Sequence, residues 1–233
     1  MNKGIFITGT DTGVGKTFVS AGIIRAMREA GIAVCPMKPV ESGCRTINGR
    51  LVPADAMKLI RVSGVKESVE LINPYRFKHP LAPAVAAEIE GVKISRKRIL
   101  SAYERLSKKY DVTIVEGAGG IMVPVYKKYL FIDLAKDLGL PVIIVSRPGL
   151  GTINHTLLTI EAARNRGLRV AGVVINYSIK TKKGLSERTN PAVIESLGGA
   201  PVLGIVPYSS NPAGPENEEI FRRIVSKISD SFK

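Results

Sequence analysis

Short apolar runs alternate with longer amphipathic stretches along this chain. The apolar runs are rich in β-branched residues and apolar at consecutive positions, which is typical of parallel strands covered on both faces. They predict strands at 4–8, 32–37, 111–115, 141–146, 169–175 and 201–206. The amphipathic stretches predict helices at 16–30, 53–63, 95–109, 131–138, 151–166, 190–198 and 216–230. This alternation predicts an α/β fold with a doubly wound, mostly parallel sheet.

The segment 64–94 has no clear period. Pro74, Pro80 and Pro83 interrupt it, and only a short helix over 83–90 is predicted there. No internal repeat, low-complexity tract or Pro/Ser-rich linker divides the sequence. Because 233 residues fit one large domain, we expect a single domain over 1–233.

Composition excludes several classes of protein. With 45% hydrophobic and 23% charged residues, the chain has the balance of an ordinary globular protein. No apolar run reaches the roughly 20 residues that span a bilayer, and the N-terminus does not resemble a secretory signal. The two cysteines, Cys35 and Cys44, form no CxxC pair. These features predict a cytoplasmic protein without a membrane partner.

The net charge of +14 raises the question of an anionic partner. The basic groups are scattered as Arg96–Arg98, Lys108–Lys109, Lys127–Lys128 and Lys182–Lys183. None of these groups is interleaved with aromatic residues, which are only 6% of the chain and would have to supply stacking platforms. We therefore expect a solvated basic surface and no nucleic-acid partner.

A glycine-rich loop joins the first predicted strand to the first helix. It reads Gly-Thr-Asp-Thr-Gly-Val-Gly-Lys-Thr over 9–17. Glycines let backbone N–H groups turn toward phosphate oxygens, and the helix N-terminus adds its dipole. Lys16 can reach the terminal phosphates, and the Thr17 hydroxyl can bind Mg²⁺. The loop is one residue longer than the usual G-x4-G-K-[ST] spacing, but its context predicts a phosphate-binding loop.

Two carboxylates are placed to hold the magnesium that accompanies a bound nucleotide. Glu116 follows the predicted strand 111–115 and leads into the small residues Gly117, Ala118 and Gly119, which allow a ligand to approach the backbone. Asp55 lies near the start of a predicted helix, where an ordinary first-turn acid favoured by the helix dipole is the alternative. We predict a metal site of Thr17, Asp55 and Glu116.

A second lysine, Lys38, closes the second predicted strand, and Ser42 follows it with a hydroxyl. Because the carboxyl ends of parallel strands share one edge of a sheet, Lys38 would point at the same site as Lys16. The alternative is a lysine that extends from a strand end into solvent.

Two further strand ends carry candidate binding residues. The helix after strand 141–146 opens on a glycine-rich segment, and its N–H groups predict an anion site at Leu150, Gly151, Thr152 and Asn154. The alternative is an ordinary glycine-rich helix start. Asn176 ends strand 169–175, where its amide can pair with the N6/N7 edge of adenine. The guanine-reading Asn-Lys-x-Asp motif is absent, because the run is Asn-Tyr-Ser-Ile over 176–179, so ATP is favoured over GTP.

Together these motifs resemble those of the dethiobiotin synthetases. The matching pieces are the loop 9–17, Lys-Pro-Val-Glu-Ser-Gly at 38–43, Asp55, Glu-Gly-Ala-Gly-Gly at 116–120, Gly-Leu-Gly-Thr-Ile-Asn-His at 149–155 and Gly-Val-Val-Ile-Asn at 172–176. The family's phosphate loop has the same extra residue, and the resemblance spans nearly the whole chain.

The resemblance implies a P-loop NTPase-like fold and an ATP-dependent ligase of biotin biosynthesis, which converts 7,8-diaminopelargonate and CO₂ to dethiobiotin. It implies Mg²⁺ as cofactor, with Thr12, Lys16 and Lys38 acting in catalysis and Ser42 holding the substrate. It implies a homodimer in which the neighbouring subunit supplies the anion site at 150–154. The residues that would bind ATP are Gly13, Val14, Gly15, Lys16, Thr17, Asp55, Glu116, Gly117, Ala118, Gly119, Asn176, Pro207, Tyr208 and Ser209.

Two other kinds of P-loop protein are alternatives. Partitioning or septum-positioning ATPases share the loop class, and the helix at 219–228 has an apolar face that could lie on a membrane. Their usual second lysine, early in the loop, has no counterpart in Gly9-Thr10-Asp11. Cobyrinate-type amide synthetases generally carry an extra glutaminase domain, for which a chain of 233 residues has no room.

Overall fold

A computed structural model describes residues 4–181, 184–212 and 214–229. Its strands are β1 (Gly4–Gly9), β2 (Val34–Met37), β3 (Val40–Glu41), β4 (Arg45–Ile47), β5 (Arg50–Val52), β6 (Tyr75–Arg76), β7 (Val112–Gly120), β8 (Pro124–Tyr126), β9 (Tyr129–Leu130), β10 (Val142–Ser146), β11 (Val170–Asn176) and β12 (Val202–Val206). Its helices are α1 (Lys16–Glu29), α2 (Ala54–Ser63), α3 (Val69–Ile72), α4 (Pro83–Ile89), α5 (Arg96–Ser107), α6 (Phe131–Leu138), α7 (Thr152–Asn165), α8 (Leu185–Gly198) and α9 (Pro215–Ser229).

Six strands form one parallel sheet in the order β12–β11–β10–β1–β7–β2. These are the six strands that the apolar runs predict, so the predicted doubly wound α/β fold is confirmed. Pro36 lies in β2, where its missing N–H is tolerated because β2 is an edge strand. The Lys182–Lys183 pair and the last residue of the helix predicted at 216–230 lie outside the described residues.

Helices cover both faces of the sheet. Side chains alternate along β1, so that Ile5 and Ile7 pack with α1, α2 and α9, whereas Phe6 packs in a second core with α5 to α8. This burial on both faces explains why the strands are continuous apolar runs rather than alternating ones. No helix in the described ranges is long and apolar enough to cross a membrane.

Among the described residues, three two-stranded sheets lie outside the main sheet. The hairpins β4–β5 and β8–β9 and the two-residue pairing of β3 with β6 were not predicted, because such short strands carry too few residues for a period. In the segment 64–94 the predicted short helix is present as α4, preceded by α3 and β6.

Two predicted boundaries were wrong. The helix predicted at 190–198 begins at Leu185, because the Glu187 carboxylate accepts the Gly184 N–H at 2.8 Å and caps an earlier first turn, and Pro191 lies inside the helix. The strand predicted to end at residue 115 continues to Gly120, since its last residues follow β1 as far as the Gly9–Gly120 pairing. Glu116 therefore lies within β7, beside Ile7, rather than beyond its end.

The close approach of α1 and α9 gives a prediction about packing. A Cβ added at Gly22 would lie 2.2 Å from ring carbons of Phe221. Gly22→Ala should therefore lower the free energy of unfolding by about 2 kcal/mol through overpacking, although alanine favours helices over glycine. Urea denaturation measures this, and Phe221→Leu in the same chain should recover part of the loss. A Gly22→Ala protein as stable as the original would contradict the predicted clash.

Candidate active site

The phosphate loop joins β1 to α1 in the conformation that its glycines permit. Gly13 and Gly15 have φ angles of 77° and 92°, which residues other than glycine rarely adopt. Gly15 is the N-cap of α1, and no side chain caps that helix. The first N–H groups of α1 are therefore available to an anion at the end of the sheet.

Lys16 bends back over this loop. Its Nζ donates to the carbonyl oxygen of Asp11 at 3.2 Å, and its side chain is buried. Burial, followed by the neighbouring Lys38 ammonium, lowers the pKa of Lys16 to about 8, although nearby carboxylates act in the opposite direction. The loop thus presents a cation that the protein only partly neutralises, as a phosphate-binding lysine requires.

Glu116 is fully buried and accepts from three donors. The Thr17 hydroxyl donates to Oε1 at 2.7 Å and the Ser20 hydroxyl to Oε2 at 2.6 Å, and both donors lie on α1. The third donor is Lys38, which directly follows β2, and its Nζ donates to Oε1 at 2.6 Å. A buried carboxylate is costly unless it is paired and hydrogen-bonded, and these three donors meet that requirement.

Lys38 lies between two carboxylates. Its Nζ donates to Glu116 and to the Gly117 carbonyl oxygen at 3.0 Å, and it is 3.4 Å from the Asp55 carboxylate. Burial alone would lower the pKa of Lys38, but the Glu116 and Asp55 carboxylates outweigh it and raise the pKa above its usual value. Lys38 is therefore a fixed buried cation and not a lysine extended into solvent.

A cavity of about 700 Å³ opens in front of these groups. The phosphate loop forms one side, the end of β2 and the start of α2 another, and the segment Pro80–Pro83 a third, apolar side. The predicted residues that it brings together are Thr12, Gly13, Gly15, Lys16, Thr17, Lys38, Ser42, Asp55, Ala118 and Gly119. Cations, hydroxyls and carboxylates thus converge on one space, next to an apolar surface.

The three predicted metal ligands fit Mg²⁺. Thr17 and Glu116 are in direct contact, and Asp55 joins them through Lys38, so the donor set is one hydroxyl and two carboxylates. Within 4–181, 184–212 and 214–229, no cluster of three or more His, Cys, Asp or Glu could hold a metal by itself. The donor set of one hydroxyl and two carboxylates suits Mg²⁺, which takes one or two protein carboxylates and completes its shell with phosphates and water.

Asn176 contacts the phosphate loop. One of the two Nδ2 hydrogens is donated to the Val14 carbonyl oxygen at 2.9 Å. Its Oδ1 is buried and has no hydrogen-bond partner among the described residues. Because β11 pairs with β12 at Asn176 and Val206, the predicted Pro207, Tyr208 and Ser209 start next to this amide. The Oδ1 atom of Asn176 is thus an acceptor that suits an amino group such as N6 of adenine.

The four predicted anion-site residues at the start of α7 do not line the cavity of their own chain. Leu150 is 83% exposed and Asn154 is exposed, while Gly151 is the N-cap with φ of 86°. Thr152 is buried, and its hydroxyl has no hydrogen-bond partner in the part of the chain that the structure describes. These residues therefore form a separate surface element within one chain.

Val123 and the apolar segment 80–83 of the cavity were not predicted, nor were two polar residues of the site. Ser20 lies one turn after Thr17 on α1, and its spacing could have indicated a second hydroxyl facing the same carboxylate. Glu41 accepts the N–H groups of Asp55 and Ala56 at 2.9 and 3.0 Å. No local signal gives this contact, because the two partners are separated by 14 residues.

The parallel sheet and the phosphate loop define the chain as an α/β protein with a P-loop NTPase-like fold, and solved structures share this fold. It is similar to the cell division ATPase MinD of Pyrococcus furiosus (TM-score 0.60, 15% identity, 99% of this chain and 100% of that one). It is also similar to MinD of Aquifex aeolicus (TM-score 0.61, 17% identity, 97% of both chains). A family model described as "AAA domain" matches residues 3–215. At these identities, the structural similarity shows the fold alone.

Sequence relatives are more specific. ATP-dependent dethiobiotin synthetase of Thermodesulfovibrio yellowstonii is 48% identical over 215 residues, which are 89% of this chain and 90% of the relative. Those of Bacillus velezensis and Methanocaldococcus jannaschii are each 43% identical, over 88% and 87% of this chain and 86% and 92% of the relatives. The chain belongs to the dethiobiotin synthetase family.

The buried ion pair gives a prediction about stability. Glu116→Gln keeps one acceptor oxygen for a hydroxyl of α1 but leaves Lys38 buried without its closest carboxylate. We expect the free energy of unfolding of the ligand-free protein to fall by about 3 kcal/mol, measured by urea denaturation.

Glu104→Gln is the matched control, because Glu104 and Lys108 also form a 2.6 Å pair but both are exposed. It should change stability little, since exposed pairs contribute little. Equal losses in the two variants would show that burial does not set the importance of the Lys38–Glu116 pair.

Proposed function

We propose that this chain is an ATP-dependent ligase of biotin biosynthesis, which forms dethiobiotin from 7,8-diaminopelargonate, CO₂ and ATP and releases ADP and phosphate. The observation that carries the proposal is the cavity itself. It joins a phosphate loop to a second buried lysine and an apolar wall, in a chain 48% identical to a dethiobiotin synthetase.

The proposed reaction brings anions together. One amine of the substrate forms an N–C bond with CO₂ and loses a proton to solvent, giving a carbamate. A carbamate oxygen attacks the γ-phosphorus of ATP, and the bond from that phosphorus to the ADP oxygen breaks. The second amine then attacks the carbonyl carbon, so that phosphate leaves and the ring closes. Both acceptor and donor are negatively charged at the attack, so catalysis here is largely positioning and charge neutralisation.

The residues of the cavity match these charges. The α1 N-terminus, the loop backbone and Lys16 would hold the phosphates, and Lys38 and Thr12 would contact the carbamate. Ser42 would bind the substrate, and the apolar segment 80–83 would contact its aliphatic chain. Gly117, Ala118 and Gly119 would allow close approach, because they carry little or no side chain.

Mg²⁺ would be held by Thr17, Asp55 and Glu116, where it would neutralise phosphate charge during the transfer. The same residues would thereby belong to the ATP site, together with Gly13, Val14 and Gly15. At the other end of the nucleotide, Asn176 Oδ1 would accept from the amino group of adenine, next to Pro207, Tyr208 and Ser209. The unpartnered state of this buried oxygen supports the assignment.

We further propose that the enzyme is a homodimer in which the start of α7 enters the neighbouring subunit's site. Its N–H groups and the exposed Leu150, Gly151 and Asn154, with Thr152, would hold the substrate's carboxylate. The support is that this anion-binding element is exposed and does not reach the cavity of its own chain. The proposal also includes a single synthetase domain over 1–233, located in the cytoplasm and without a nucleic-acid or membrane partner. Cys35 and Cys44 are buried and form no disulfide, which agrees with a reducing compartment.

The alternative, a partitioning or septum-positioning ATPase, has little support. Its structural similarity rests on 15–17% identity. The phosphate loop supplies one lysine, and the second cation of the site comes from β2. The apolar residues Phe221, Ile224 and Ile228 of α9 pack against the sheet and are not free for a membrane.

Phosphate release is the direct test of the function. With Mg-ATP and bicarbonate, we expect the purified protein to release phosphate only when diaminopelargonate is added, because the carbamate is the phosphate acceptor. Phosphate is measured with a coupled assay, and dethiobiotin by mass spectrometry. ATP hydrolysis that is indifferent to the diamine but stimulated by DNA or lipid vesicles would overturn the synthetase proposal.

Mixed dimers test the shared site. Lys38→Ala should abolish turnover in its own cavity, and Asn154→Asp should raise the KM for the diamine by repelling its carboxylate in the neighbour's cavity. If subunits are unfolded and reassembled at equal ratio, half of the two-fold dimers are mixed and contain one intact site, so about a quarter of wild-type sites should return. Reassembled single variants are the controls. No recovery in mixed dimers would place residues 150–154 outside the neighbour's site.

A further inference from the structure

Helix α2 begins without a cap of its own. Its N-cap residue is Pro53, which has no side-chain acceptor for the first-turn N–H groups. Those of Asp55 and Ala56 are bound instead by Glu41, whose Oε1 and Oε2 accept at 2.9 and 3.0 Å. A carboxylate from β3 thus caps the N-terminus of α2, because the residue at the N-cap position cannot.

Glu41 is itself held firmly. It is only 5% exposed, and its carbonyl oxygen accepts the Phe77 N–H at 2.9 Å where β3 pairs with β6. Burial raises the pKa of Glu41, while the two N–H groups act in the opposite direction. Burying a carboxylate costs desolvation free energy unless the group is hydrogen-bonded. The two N–H groups of α2 supply these hydrogen bonds to Glu41.

Asp55 depends on this contact for its position. Its side chain is 45% exposed, and Lys38, at 3.4 Å, is its ion-pair partner among the described residues. The location of its carboxylate is therefore set mainly by its backbone, and the backbone N–H is the one that Glu41 holds. Lys38 and Glu41 both lie in the short segment that follows β2. This one segment therefore supplies the buried cation and also holds the start of the helix that carries Asp55.

We infer that Glu41 is a positioning residue, which holds the start of α2 so that the Asp55 carboxylate is in place to bind a divalent cation together with Glu116 and Thr17. This inference rests on the metal site of the proposed function. Partners that orient metal ligands commonly change metal affinity by about 10- to 100-fold when removed. A residue that only stabilised α2 would change stability and leave metal affinity unaltered.

Binding of Mn²⁺ in the presence of ADP separates these roles, because it is measured by electron paramagnetic resonance without turnover. We expect Glu41→Ala to weaken Mn²⁺ binding by about 10-fold. Glu41→Gln should weaken it less, since its carboxamide oxygen still accepts one N–H, and it keeps the test usable if the alanine variant does not fold. Ser95→Ala is the matched control, because Ser95 caps α5 with a 3.3 Å bond to the Arg98 N–H away from the cavity. It should lower Tm without changing Mn²⁺ affinity.

The same substitution in an Asp55→Asn background identifies the route. If Glu41 acts through Asp55, Glu41→Ala should cause little further loss of Mn²⁺ affinity there. Unchanged affinity in Glu41→Ala, or an equal loss in both backgrounds, would overturn the inference. Failure of the proposed function would look different, because the wild-type protein would then release no diamine-dependent phosphate whatever Glu41 does.

Discussion

The structure depends on one buried ion pair, between Lys38 at the end of β2 and Glu116 within β7. Both side chains are almost completely removed from water, and the desolvation of two charges must be offset by close geometry and further hydrogen bonds. Thr17, Ser20 and the Gly117 carbonyl supply those bonds. The pair therefore ties the first helix to two neighbouring strands, and it does so at the carboxyl edge of the sheet, where α/β proteins bind ligands.

This constraint also organises the charges around the cavity. Lys38 serves Glu116 and Asp55 together, whereas Lys16 is turned to a backbone carbonyl and has a lowered pKa. The two lysines are thus unequal: one is neutralised by carboxylates, and the other is left for an anionic ligand. Glu41 extends the arrangement by fixing the start of α2. A nucleotide with its metal would meet a site whose positions are already set by contacts within the protein, which limits the reorganisation that catalysis requires.

The sequence was sufficient for features with a local or periodic signal. The six strands were predictable because their apolar runs are largely buried on both faces, and Lys38 and Glu116 because they directly follow such runs. Lys16 and Thr17 were predictable from the glycine-rich loop between β1 and α1. Features that depend on distant partners were not predictable. Helix α8 starts at Leu185 because the Glu187 carboxylate accepts the Gly184 N–H, and β7 extends to Gly120 because β1 runs beside it. Glu41 caps α2 through Asp55, which lies 14 residues later in the chain. The Asn176 bond to Val14 likewise joins residues that only the folded sheet brings together.

The contrast with the MinD structures shows where function is encoded. The fold is shared at a TM-score of 0.60 although only 15% of residues are identical, so the sheet and loop by themselves cannot separate a synthetase from a switch. The distinction must therefore lie in the side chains of the site. Here the second cation, Lys38, follows β2 and is buried against Glu116, next to a space that is also bordered by apolar residues 80–83. In the proposed synthetase reaction, a lysine fixed in this way would be in place for a small bound substrate in every catalytic cycle. The net charge of +14 contributes little to this distinction, because the decisive charges are the few that the fold removes from water.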